Sequence, residues 1–319
     1  MNLTTTLMTI LSTTLVYAAP LIFTALGGTF SERSGIVNVG LEGMMIVGAF
    51  SSSIFTLSFS KTFGDLTPWI SLFVGAIFGC LFSVLHAIAT VSFRADHIIS
   101  GTVLNMMAPA LCVFLTRIFY NGKGQTPDID QGLGTTTLPG LAKIPFIGQV
   151  LFTRTSLAAW FAIIVSLVCW YVLYRTGFGL RLRSVGENPA AADTLGINVY
   201  KYRYIGVLIS GFMGGFGGSV MAQSITLSFS ISTISGQGFM SLAAMIFGKW
   251  NPLGAMGAAV FFGLAQSLPI IGAYIPGLGA INSVWFQIAP YLITIIVLVL
   301  FIGKSVGPDA DGVNYIKSK

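Results

Sequence analysis

Two carboxylates interrupt an otherwise apolar stretch near the start of the chain. The run Ser31-Glu32-Arg33-Ser34-Gly35-Ile36-Val37-Asn38-Val39-Gly40-Leu41-Glu42-Gly43-Met44-Met45 holds both, with one arginine and three glycines, and is no plain helix. Glu42 is the sharper case, because Met44 to Phe50 continues apolar and a carboxylate near hydrocarbon is costly unless it faces a cavity or a partner. Two roles fit it. It is either a helix-start carboxylate stabilised by the positive end of the helix dipole, or one of a pair with Asn38, four residues apart on one helical face, that lines or gates a passage. Asn105, Gln223, Gln237 and Gln266 are the other polar side chains set in apolar runs. Each offers hydrogen bonds to a translocation path or simply bridges two helices.

A second constellation lies between Gly177 and Gly196. Asn188 as N-cap, Pro189 at the first helical position, Ala190, Ala191 and Ala192 as small interior residues and Gly196 as the stop specify a short helix, with Glu187 and Asp193 alongside. Flanked by charge, it has no lipid to face. Docking into a groove on another protein suits it; so does a solvated linker.

Other chemistry is poorly supplied. His86 and His97 are the two histidines, with no acidic cluster around them, which disfavours a metal enzyme; His97, after Asp96 at a span boundary, reads as interfacial. Cys80, Cys112 and Cys169 sit in apolar segments without paired spacing and read as inert thiols. No Gly-x-x-x-x-Gly-Lys-Ser/Thr occurs, so energy must come from a partner or a gradient. A net charge of +6 scattered over short loops does not suit a nucleic-acid partner.

The elements that must position these residues follow from composition. Sixteen basic and 10 acidic side chains among 319 residues make 8% charge, against about 25% in a soluble domain, while hydrophobic residues reach 54% and mean hydropathy +0.85. The solvent must be lipid, and the chain an all-α polytopic membrane protein of one transmembrane domain, residues 1–319. Glycine, at 38 residues, fits close helix packing and broken helices. Nine apolar segments are expected: Thr4 to Thr29, Gly35 to Leu57, Pro68 to Thr90, His97 to Phe119, Thr155 to Tyr174, Tyr204 to Ser224, Gly236 to Phe247, Pro252 to Ile271 and Val284 to Ile302. The seventh is short for a crossing and either spans or re-enters. No cleavable secretory signal is evident in the N-terminal run.

Charge bias orients these segments. Arg175, Arg181, Arg183, Lys201 and Arg203 crowd one connection, and Lys304, Lys317 and Lys319 follow the last segment. Placing the 175–203 loop and the 303–319 tail in the cytoplasm puts Arg33, Arg94 and Lys249 there too. The 119–154 connection, rich in Gly, Thr and Pro, is then extracellular, as is the N-terminus. Gly-Leu-Glu-Gly-Met-Met at 40–45 faintly echoes Gly-Gln-Gly-Phe-Met at 236–240, as two related halves or chance would have it.

The run Ser31 to Met45, followed by Arg181 to Gly196, resembles the permease subunit of bacterial ABC importers of the ribose and branched-chain amino acid type. Within that group the Glu32–Gly35 and Asn38–Met45 stretches are similar to the nucleoside-uptake branch, in particular the smaller permease of guanosine transporters. The resemblance implies an ABC permease fold in the plasma membrane and a second homologous permease. It also implies cytoplasmic ABC ATPase sites that bind ATP and Mg, and an extracellular lipoprotein that delivers nucleoside. The permease itself would carry no cofactor and no catalysis, and Glu187 to Asp193 with Gly196 would couple it to the ATPase. By the same resemblance the chain begins one span later than ribose permeases, consistent with an external N-terminus. A permease for sugars or amino acids, and an ion-coupled secondary transporter with Glu42 carrying the ion, are the competing readings. A membrane-embedded hydrolase or transferase lacks a base, nucleophile or metal set.

Overall fold

The computed structural model describes residues 3–137, 155–271 and 306–317, with isolated positions at 142, 152, 153, 285, 288, 292, 295 and 296. The expected ninth segment, Val284 to Ile302, lies largely outside the described residues, as does 138–154 of the long connection apart from those positions. The described residues are mostly helical: α1 Leu3–Glu32, α2 Leu41–Phe63, α3 Thr67–Ala87, α4 His97–Phe119, α5 Leu157–Arg175, α6 Gly177–Glu187, α7 Pro189–Thr194, α8 Val199–Met221, α9 Gln237–Phe247 and α10 Pro252–Ile271. Among the described residues the strands are the two-residue pieces Thr135–Thr136 and Thr155–Ser156, paired antiparallel. Six long apolar stretches are present among the described residues, and the one over Leu41–Ser92 bends at a 3-10 turn, Gly64–Leu66, into α2 and α3. This is a polytopic helical membrane protein.

Helices α1 and α8 form the centre. Phe23 of α1 packs its ring, tilted, 4.5 Å from that of Phe216 on α8, and Ala18 receives Gly263 of α10. On the other flank α2, α3 and α8 meet through a seam of small residues, Gly48, Gly75, Gly79, Gly211, Gly215 and Ser219. A Cβ on Gly79 would come 2.6 Å from Gly215 Cα, so only glycine lets the backbones touch there. In lipid this contact and dispersion packing replace the hydrophobic drive between helices. Helix α4 leans mainly on α2 and leaves Ile98, Ile99, Met106, Phe114 and Ile118 exposed, as a lipid-facing helix does.

Helix α9 has eleven residues, a rise of about 16 Å against a hydrocarbon core of about 30 Å. The irregular stretch before it makes up the distance. After α8 a π-turn over Ala222–Thr226 and a left-handed Leu227 (φ 50°) end the helix. The chain then descends beside α2, with the Phe229 ring 5.3 Å from that of Phe50, until Gly236 and Gly238 reach Glu42. Helix α9 carries it on to Trp250, against Glu32 and Arg33.

The charged connections gather into two groups. Arg33, Glu187, Lys249 and the 306–317 segment lie together. At the far ends of α2 and α8, residues 126–133 of the long connection fold over the exit of α8 through Thr126 N–H to Phe229 O, 2.9 Å, and Leu133 N–H to Gln223 O, 2.7 Å.

Candidate functional site

Between α1 and α2, residues 33–40 are non-helical, and buried backbone at that depth requires a partner for every peptide group. The sequence supplies some locally. Ser31 Oγ donates to Ile36 O at 2.7 Å and Ser34 Oγ to Ser31 O at 2.6 Å. Gly35 takes φ 87°, which a side chain would strain. Asn38 Oδ1 accepts from Gly40 N–H at 3.1 Å, a local turn, and its Nδ2 donates to Ser210 Oγ of α8 at 2.8 Å.

The other partners come from afar. Val37 is held at both ends by histidines: its N–H donates to His97 Nδ1 at 3.3 Å, and its carbonyl lies 3.1 Å from His86 Nε2. His97 Nδ1 is therefore the acceptor, leaving its Nε2–H for Asn314 Oδ1 at 3.3 Å. Asn105 of α4 accepts from Gly43 N–H at 2.8 Å and donates to Val39 O at 2.9 Å. This one amide ties the start of α2 to α4.

Glu42 lies in the first turn of α2 with 7% of its surface exposed. Its Oε1 accepts from Gly236 N–H at 2.5 Å and Oε2 from Gly238 N–H at 2.6 Å. The carboxylate thus serves two helix starts at once, that of α2 by dipole and that of α9 by direct capping, and it satisfies amides that α9 leaves without intrahelical partners. Charge-assisted bonds of this kind contribute about 1.5–3 kcal/mol each. The two Gly-rich segments that echo each other in sequence are the two that meet here.

Of the remaining sequence candidates, one joins this junction and two lie away from it. Gln237 opens α9 and its Oε1 accepts from Ser235 N–H. Gln266 of α10 donates to Met240 Sδ of α9 at 3.2 Å. Gln223 is fully buried near the other end of the molecule. Its Nε2 donates to Thr56 Oγ1 at 2.9 Å, beside a pocket of about 180 Å³ lined by Thr56, Ser60, Lys61 and Asp130, and its Oε1 has no hydrogen-bond partner among the described residues. Asn38, Glu42, Asn105 and Gln237 therefore share one junction, Gln266 lies along α9 from it, and Gln223 stands apart.

The predicted short helix is present as α7. Asn188 Oδ1 accepts from Ala191 N–H at 3.0 Å, Pro189 follows, and Gly196 ends the turn at φ 79°. Ala190, Ala191 and Leu195 face outward, Leu195 with 80% exposure, while Ala192 is buried. Helix α6, which the motif did not announce, precedes it and is capped by Thr176. Glu187 at its end pairs with Arg33 at 3.4 Å, and Arg33 Nε donates to Trp250 O at 3.0 Å, joining α6, the α1–α2 break and the end of α9.

Sequence reasoning missed this underside. Trp250 Nε1 donates to Glu32 Oε2 at 2.5 Å. Asp311, in the 306–317 segment, lies beside Glu32, with Arg203 near enough for its charge to act. Burial, then the Glu32 carboxyl, pushes the Asp311 carboxyl far above the ordinary carboxylate range, while the Arg203 guanidinium acts the other way. A buried arginine and histidines inside apolar runs were the available signals.

A family description, "Branched-chain amino acid transport system / permease component", matches residues 10–302. The chain is 60% identical over 319 residues to the nucleoside ABC transporter permease protein NupC of Lactococcus lactis subsp. cremoris (strain MG1363), covering all of both chains. It is 53% identical over 319 residues, again all of both, to the guanosine ABC transporter permease protein NupQ of Bacillus subtilis (strain 168). A second Lactococcus lactis protein, the nucleoside ABC transporter permease protein NupB, is 23% identical over 256 residues, 80% of this chain and 70% of that protein.

Proposed function

Since the chain belongs to this family of permease components, we propose that it is one transmembrane subunit of an ABC importer and forms part of a passage for nucleosides. The full-length 60% likeness to a nucleoside permease carries this reading. A second, related permease completes the passage, as the co-occurrence of two such permeases in one Lactococcus lactis strain suggests. A cytoplasmic ATPase that binds ATP and Mg supplies the energy, and an external lipoprotein delivers the substrate; this subunit is not catalytic. In the plasma membrane the group of Arg33, α6, α7 and residues 306–317 faces the cytoplasm, following the basic bias, and the 119–154 connection and the N-terminus face outward. Nine crossings include α9 with its irregular lead and the segment expected at Val284 to Ile302.

Helix α7, with Glu187, Asn188 and the alanine face, docks on the ATPase. The junction of Asn38, Glu42 and Asn105 with the start of α9, together with Gln266 and Gln223, borders the path. Both oxygens of Glu42 accept backbone N–H bonds, which leaves little for a coupling ion and disfavours an ion-driven carrier. Uptake in vesicles holding this chain, its companion permease, ATPase and binding protein tests the function. Transport of labelled guanosine without ATP, or of sugars in preference to nucleosides, would refute it.

A further inference from the structure

The C-terminal segment 306–317 is not a free tail but a strap across the inner end of the molecule. At one end Tyr315, 8% exposed, packs in a small apolar cluster with Val185, Ala192 and Val199, its ring 5.7 Å from that of Tyr200. Ala192 is the buried residue of α7, so the strap forms part of the seat of that helix. At the other end Gly312 N–H donates to Gly35 O at 3.3 Å and Ala310 N–H to Gly186 O at 2.9 Å, and the Asp311 carboxyl lies beside Glu32, the last residue of α1. In between, Arg203 donates to Val313 O at 2.9 Å. Asn314 receives His97, whose other ring nitrogen holds the Val37 amide.

We propose that the strap is a mechanical link through which displacement of α7 reaches the α1–α2 break, with Tyr315 and Asn314 as positioning residues. This rests on the reading of α7 as the ATPase-docking element. Helix α7 is six residues long, and it packs on its flanking helices α6 and α8. Through α6 the routes to the break are the close approach of Gly186 to the Arg33 carbonyl and the Arg33–Glu187 pair, whose Glu187 side chain is 48% exposed and therefore weak and salt-screened. The strap adds a route that is buried at Tyr315 and hydrogen-bonded to the Gly35 carbonyl of the break. A link of packed side chains and hydrogen bonds passes a displacement where an exposed ion pair yields.

The test uses the complete reconstituted importer and reads labelled guanosine taken up per ATP hydrolysed. With Tyr315→Ala, ATP hydrolysis should continue and the uptake ratio fall at least about fivefold, the low end of coupling between linked sites. Tyr315→Phe should restore it, and Asn314→Ala should lower it without touching α7. Simple loss of stability lowers uptake and hydrolysis together and leaves the ratio unchanged. An unaltered ratio in both Tyr315→Ala and Asn314→Ala, in protein present at normal level, overturns the link. Ala191→Arg, run alongside, separates the two ideas: if it uncouples and the strap variants do not, the strap inference alone fails, and if it leaves ATPase association and coupling intact, the docking role of α7 fails.

Discussion

Glu42 and Gly238 meet at 2.6 Å across 196 residues of chain, so the first turn of α2 and the start of α9 share one carboxylate. A negative charge between two converging helix N-termini is stabilised by both dipoles, which is how it persists with 7% exposure. The contact also fixes where the irregular descent from Leu227 stops and α9 begins.

Glu42→Gln should lower uptake about tenfold with little loss of protein from the membrane. The amide keeps the shape but turns one acceptor into a donor, so one α9 amide loses a bond to a charged group worth roughly 1.5–3 kcal/mol. Nucleoside uptake in reconstituted vesicles measures it. Full uptake, together with no labelling of Glu42→Cys by a water-soluble thiol reagent in any transport state, would reduce Glu42 to a structural cap.

Ala191→Arg should reduce both uptake and substrate-stimulated ATP hydrolysis while the protein inserts normally. Ala191 is exposed on α7, and a long charged side chain there disturbs a docking face without touching the buried Ala192. An inserted variant with wild-type coupling would remove α7 from the ATPase interface.

Gly215→Ala should destabilise the helix core by about 1–3 kcal/mol, the usual cost of overpacking. Its Cβ would lie 2.9 Å from Gly79 Cα, and the backbone of α3 has no side chain to move aside. Thermal unfolding in detergent tests this, and an unchanged midpoint would mean the α3–α8 seam is looser than the structure has it.

The strap should loosen as pH rises. Asp311 is raised from 3.8 to about 9 by burial and by the neighbouring Glu32 carboxyl, with Arg203 opposing. A carboxyl whose folded pKa is raised holds its proton in the docked strap and gives it up when the strap is freed. Docking stability is therefore full below the free value near 4 and declines as pH rises toward 9. Glu32 lies beside this carboxyl, and the charge of Arg203 acts on it, as Tyr200 and Tyr315 act on the arginine. A spin label on Val313→Cys, in a background with Cys80→Ser, should gain mobility between pH 6 and 9. The same label with Asp311→Asn should show a weaker trend, since the buried Glu32 carboxyl remains beside it, and a flat profile without that substitution would contradict the burial.

Uptake should be blocked by competing nucleosides and not by their monophosphates. Across the six candidate path residues Asn38, Glu42, Asn105, Gln223, Gln237 and Gln266 there is one carboxylate and no cation, and an uncompensated phosphate in a low-dielectric passage costs several kcal/mol. ATP-dependent uptake of a labelled monophosphate would show that the path is drawn through the wrong residues.

The membrane character, the interruption at 31–45 and the capped helix at 188–196 were legible in the sequence because each is written in neighbouring residues. Charge scarcity needs only a count, and a cap needs only Asn188, Pro189 and Gly196 in order. The same holds for the grouping of Arg33, Lys249 and the 175–203 loop on one side, which follows from alternation of direction along a helical series. What the sequence left open, the tertiary structure decided. The polar groups of the break are satisfied by His86, His97, Asn105 and Ser210, which lie between 49 and 172 residues away. Glu42 finds its partner 194 and 196 residues on. No local pattern encodes such pairings, since a peptide group buried in lipid requires a partner without specifying which part of the chain provides it. Packing alone chose, and it chose through the glycine seam that brings α2, α3 and α8 close enough for those side chains to reach.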